Sequence, residues 1–151
     1  MLTYDAGFAK VGFGATRIDA AAGTSADTTQ SIMGLGTSLG DFGFKLARGK
    51  DKTRGASGGI TSDISTNDYG ISYGGFENIS LYYNGVTSEQ DSGTNVGDKL
   101  DYNGVGLTYT IADGVSALIE QGNSDFSDAS TAAGTNNDKA NYTRLGLSVS
   151  F

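Results

Sequence analysis

Residues 144–151 read RLGLSVSF, with Leu145, Leu147, Val149 and Phe151 on one side of an alternation and Gly146, Ser148 and Ser150 on the other. A period of two is the mark of an extended strand with one apolar face and one small or polar face. Most domains finish in a few loose polar residues. Here the alternation continues to an aromatic, so the element is expected to run to the last residue.

The same beat recurs upstream. Period-two patterning predicts strands at Phe8 to Ile18, Ser31 to Leu39, Phe42 to Gly49, Asn67 to Tyr73, Asn78 to Gly85, Lys99 to Ile111, Val115 to Gln121 and Lys139 to Phe151, with a stub at Leu2 to Tyr4. Short connections (Asp5 to Gly7, Gly40-Asp41, Gly74 to Glu77, Ala112 to Gly114) carry the Gly and Asp that hairpin turns need. They take turns with long polar stretches at Asp19 to Gln30, Lys50 to Thr66, Val86 to Asp98 and Gly122 to Asp138. In an antiparallel meander all the tight turns then lie at one end of the sheet and all the long loops at the other. Outer-membrane barrels show that asymmetry, and several segments approach the roughly 9 to 11 residues of a membrane-crossing strand. The expected fold is all-β, an antiparallel up-and-down transmembrane β-barrel occupying residues 1–151 as a single domain.

Composition narrows the function. With 24 glycines, no proline and 37% hydrophobic residues, no window reaches the roughly 18 apolar residues of a membrane helix. No histidine means no Ser-His-Asp triad, no histidine-bearing zinc site and no base poised near neutrality, so the chain is not expected to be an enzyme. No cysteine removes disulfides and thiolate chemistry, and a net charge of -7 argues against nucleic-acid partners. The start MLTYDAG lacks the charged and apolar regions of a signal peptide, so any export signal is expected to be removed or to lie upstream.

Parity then sorts the side chains. Val11, Phe13, Met33, Leu35, Phe42, Phe44, Leu46, Tyr69, Ile71, Leu81, Tyr83, Val105, Leu107, Ile119, Leu145 and Leu147 fall on one face, expected to meet lipid. The other face holds glycines, Ser and Thr with Lys10, Lys45, Glu120 and Arg144, and with Tyr82, Tyr102 and Tyr142. In a barrel these are the lumen charges and lumen aromatics. Lys10, Lys45 and Arg144 are read as wall cations that set a field across the pore; the alternative is that they are only solvated wall residues. Arg17 and Arg48 fall on the lipid parity at the loop ends, where they meet lipopolysaccharide phosphates or snorkel to water. Aromatics gather at strand ends like a girdle: Phe8, Phe42, Tyr73, Phe76 and Phe151 near the turns, Tyr69, Tyr83, Tyr102 and Tyr142 nearer the loops.

The acidic residues Asp19, Asp27, Asp51, Asp63, Asp68, Glu89, Asp91, Asp98, Asp125, Asp128 and Asp138 are read as lying in the long loops. Oxygen-only clusters of this kind could take Ca²⁺ at an extracellular surface, although no EF-hand loop is present; solvated loops are the plainer reading. No resident cofactor is expected.

The ending resembles the C-terminal strand of bacterial outer-membrane proteins, with apolar residues at Leu145, Leu147 and Val149 before Phe151. That resemblance implies recognition by the barrel-assembly machinery. More narrowly, FAKVGFGAT, MGLGTSLGDFGFKLARG and DYNGVGLTYTIADGVSALIE resemble the C-terminal half of a general diffusion porin of the alphaproteobacterial, roughly 16-stranded kind. The resemblance implies a water-filled outer-membrane channel for passive diffusion of small hydrophilic solutes, a homotrimer when full-length, and contact with outer-membrane lipid and lipopolysaccharide. It also implies an N-terminally truncated barrel, because MLTY is far short of a crossing strand. A small eight-stranded barrel with an adhesion, receptor or structural role is the competing expectation.

Overall fold

The computed structural model describes residues 2–18, 27–55, 57–93, 95–129 and 138–150. They form nine strands: β1 Leu2–Asp5, β2 Ala9–Ile18, β3 Asp27–Leu39, β4 Phe42–Arg54, β5 Ile60–Phe76, β6 Ile79–Gly93, β7 Lys99–Ala112, β8 Val115–Ser127 and β9 Asp138–Val149. All lie in one antiparallel sheet in chain order, with β1 and β9 at its edges, and no helix occurs among the described residues.

The register preserves the two faces across the whole sheet. Phe13, Met33 and Arg48 are neighbours in one row, and Val11, Leu35, Leu46 and Tyr69 in the next. Further along, Leu81, Leu107, Ile119 and Leu145 continue the apolar face. None of these side chains finds an apolar partner layer. Among the described residues no hydrophobic residue is buried, and Leu46, Val105 and Leu145 are 60%, 60% and 76% exposed. Burial of one layer on another is the usual driving force for a domain. This sheet has no second layer, so its apolar face needs a non-aqueous neighbour outside the chain.

At the tight-turn end the aromatics of that face touch. Phe42 and Tyr73 have ring centroids 4.8 Å apart, and Tyr73 meets Phe76 edge-on at 5.2 Å. The turns there are two residues long at 40–41, 77–78 and 113–114. The third needs glycine for two reasons: Gly114 has φ +75°, and a Cβ on it would lie 2.5 Å from the Ser150 carbonyl oxygen. The turn predicted over Gly74 to Glu77 is shorter than expected. β5 continues to Phe76 through a register shift, and the reversal falls on Glu77-Asn78, with Asn78 at φ 61°. Asn tolerates that left-handed conformation better than other non-glycine residues, and the apolar pattern gives no sign of it.

The larger departure is at the other end. Two of the stretches read as long loops, Lys50 to Thr66 and Val86 to Asp98, are mostly strand: β4 runs on to Arg54, β5 begins at Ile60 and β6 reaches Gly93, which leaves only 55–59 and 94–98 between them. These extensions are mostly polar, with Ile60, Ile64 and Val86 as scattered apolar positions, so period-two hydrophobicity is silent. Cross-strand charge pairing holds them instead. On the face continuous with the apolar one, Lys52 meets Asp63 at 3.0 Å, Lys50 meets Asp63 at 3.4 Å and Asp91 at 3.3 Å, Lys99 meets Glu89 at 3.3 Å, and Lys139 meets Asp125 at 2.6 Å. Of the acids read as loop residues, Asp27, Asp51, Asp63, Asp68, Glu89, Asp91, Asp125 and Asp138 are strand residues, whereas Asp98 and Asp128 lie between strands. Among the described residues no group of three or more Asp and Glu is arranged to hold a metal ion, and Asp19 lies outside them.

Asp63 is the buried member of this ladder, its side chain 7% exposed. Burial pushes its carboxyl up, but the hydrogen bond from Lys52 and the charges of Lys50 and Lys52 outweigh that and hold it below the usual carboxylate range. Lys50 is held above the usual lysine range, chiefly by its hydrogen bond to Asp91 and then by Asp63. The signs fix a window. Asp63 contributes stability above its unfolded pKa of about 3.9, lost as pH falls through its lower folded value; Lys50 contributes below about 10.4, lost as pH rises through its higher one. The strand extensions are thus expected to be insensitive to pH between about 5 and 9. Carboxyl ¹³C titration should place the Asp63 midpoint below that of an unstructured aspartate; a midpoint above it would refute the ladder.

Candidate pore wall

The second face is floored by small residues. Gly36 and Gly70 lie in one row with Lys10 and Lys45, Gly12 and Gly34 in the next with Ala47 and Asp68, and Gly43 between Ser38 and Ser72. Lys10 lies opposite Asp5 and pairs with it at 3.2 Å. Lys45 pairs with Asp68 at 3.0 Å. Gln30 donates to Asp51 at 2.8 Å on the same face. Asp5, Asp51 and Asp68 were not among the expected wall charges. Carrying the alternation two residues outward from Gly70 and Gly49 would have found the last two.

On β6 to β9 this face is built differently, and the register explains how. Tyr82, Gly106, Glu120 and Arg144 form one row across four strands; Asn84, Gly104, Gly122 and Tyr142 form the next. In each row a tyrosine stands beside glycine. The Tyr82 ring lies over Gly106 and the Tyr142 ring over Gly122, each so close that a Cβ on the glycine would collide with it. Covering strand glycines with aromatic rings shields their backbone and lets the phenols reach across a strand. They converge on Glu120. Tyr82 donates to its Oε2 at 2.7 Å, while Tyr102 and Tyr142 reach Oε1 at 2.9 and 2.8 Å. The Tyr102 and Tyr142 hydroxyls also touch, and their rings stack at 5.5 Å with planes 13° apart. Glu120 is left 4% exposed.

Arg144 is opposite Glu120 in the register yet exposed, and it makes no hydrogen bond or ion pair among the described residues. All seven charged and aromatic residues expected on this face, Lys10, Lys45, Glu120, Arg144, Tyr82, Tyr102 and Tyr142, share its parity. The structure brings four of the seven together with Arg144 beside them, and leaves Lys10 and Lys45 paired elsewhere. Tyr102 and Tyr142 consequently do not belong to an aromatic girdle on the apolar face. Leu145, Leu147 and Val149 lie on the apolar face of β9; Phe151 lies outside the described residues.

An up-and-down sheet with an apolar exposed face and a polar, glycine-rich face has a solved counterpart. The anion-selective porin from Comamonas acidovorans superposes with a TM-score of 0.74 over 97% of this chain, at 17% sequence identity. The fold is that of part of a porin barrel. The chain spans 45% of that porin's length. No protein-family model matches the chain, and its sequence matches no curated protein. In a porin fold the glycine-rich face is the lumen side and the apolar face the outside.

Proposed function

We propose that this chain forms about half the wall of a water-filled outer-membrane pore through which small hydrophilic solutes and ions diffuse passively, without catalysis. The observation that carries the reading is the exposed apolar face with no core behind it, backed by a face of glycines and charges. On β3 the apolar positions run from Met33 to Leu39, and on β7 from Val105 to Ile111. Each covers about 20 Å of extended chain, near the roughly 25 Å apolar band of an outer-membrane barrel. Phe42, Tyr73 and Phe76 fit the interface at one rim. The charged extensions beyond the band fit the wet side, with Arg48 at its border.

The same reading places the protein in the outer membrane of a Gram-negative bacterium, in contact with lipid and lipopolysaccharide. Leu145, Leu147, Val149 and Phe151 would be read by the barrel-assembly machinery, and a homotrimer is the expected assembly of the whole barrel. Planar-bilayer recording tests the function. Stepwise conductance that scales with salt concentration is expected, and a well-inserted but silent protein would overturn the pore.

A further inference from the structure

Resting on the pore reading, we infer that Arg144 is the lumen residue that contacts permeating small oxyanions, carboxylates or phosphate, and that Glu120 and its tyrosines leave it free to do so. Three cations share the lumen face within the apolar span. Lys10 and Lys45 have carboxylates at 3.2 and 3.0 Å. Arg144 faces the one acid in its row and feels its charge, but that acid's two oxygens accept from three phenols and make no ion pair with it among the described residues.

The consequence is an asymmetry at contact range. From far away Glu120 and Arg144 cancel. Close to the wall, a cation cannot touch a carboxylate that is 4% exposed behind three rings, whereas an anion can reach the exposed guanidinium. Its planar fork of donors matches the two oxygens of a carboxylate or phosphate, which a lysine ammonium does not. The Tyr82 and Tyr142 rings fill the space over their neighbouring glycines, so the wall beside Arg144 is thick and fixed.

The test uses the protein purified from its membranes, in planar bilayers with chloride as carrier and inorganic phosphate as the probe. Wild type should show chloride conductance reduced by phosphate. In R144K the phosphate concentration giving half that reduction should rise about tenfold, the worth of one charge-assisted hydrogen bond, while the chloride-to-potassium permeability ratio is retained. R144Q should lose the phosphate effect and lower the ratio about threefold, the weight of one unit charge at about 7 Å in water. R48Q, on the opposite face, should change neither. A conducting wild type indifferent to phosphate, or a phosphate effect that is as strong in R144K as in wild type, would overturn the inference. A silent wild type would instead overturn the pore reading beneath it. Heat-modifiable migration of each variant on a detergent gel establishes that it is folded.

Discussion

Arginine at position 107 is expected to block membrane insertion, whereas arginine at position 108 is expected to be accepted. Leu107 lies between Leu81 and Ile119 in the middle of the exposed apolar face; Thr108, one residue on, faces the lumen between Ser80 and Leu118. An arginine on the lipid face near the bilayer midplane costs about 2–4 kcal/mol, while a lumen position keeps the guanidinium in water. Leu107→Arg should fail to give the heat-modifiable folded form in lipid vesicles. Thr108→Arg should insert and conduct less, because its side chain occupies part of the lumen. Equal behaviour of the two would mean that the faces do not differ in solvent, and a membrane barrel would be ruled out. The pair isolates solvent from backbone, since neighbouring residues of one strand share the same ladder.

Truncating Glu120 is expected to loosen the wall more than losing any one of the phenols it holds. Three hydroxyls at 2.7–2.9 Å end on its two oxygens. Hydrogen bonds to a charged group contribute about 1.5–3 kcal/mol each, but these share one acceptor and the rings can regain lumen water, so Glu120→Ala should cost about 2–4 kcal/mol in total. Tyr82→Phe removes one donor and leaves the ring over Gly106, for a loss of about 1–2 kcal/mol. Urea unfolding in detergent or vesicles reads both. Gly106→Val adds an independent check: the new side chain would occupy the place of the Tyr82 ring, so its cost should largely vanish when Tyr82→Ala is also present. Additive losses for Gly106→Val and Tyr82→Ala would show that the ring does not cover that glycine.

Alternation alone assigned each strand its faces, and the lumen residues Lys10, Lys45, Glu120, Arg144, Tyr82, Tyr102 and Tyr142 followed from counting outward from glycine-rich positions. It missed Asp51 because the apolar beat stops before it although the strand does not, and it missed Asp68 although the expected strand from Asn67 already includes that residue on the glycine parity. In β4 to β6 the extension is carried by Lys50, Lys52, Asp63 and Asp91, which pair across strands. A loop and a strand that is polar on both faces look alike in hydropathy, and the pairing that distinguishes them is non-local.

Local alternation and turn residues carry the all-β class, the up-and-down order, the apolar and small faces and the alternation of tight with longer connections. Each of these depends only on residues near one another in the chain. Register was decided by the tertiary structure, because it depends on how far one strand slides against the next and no single strand carries that information. Only register puts Gly106 between Tyr82 and Glu120, and Gly122 beside Tyr142. It turns a carboxylate counted as a pore charge into the anchor of three rings, and leaves Arg144, across from it, as the exposed cation of that row.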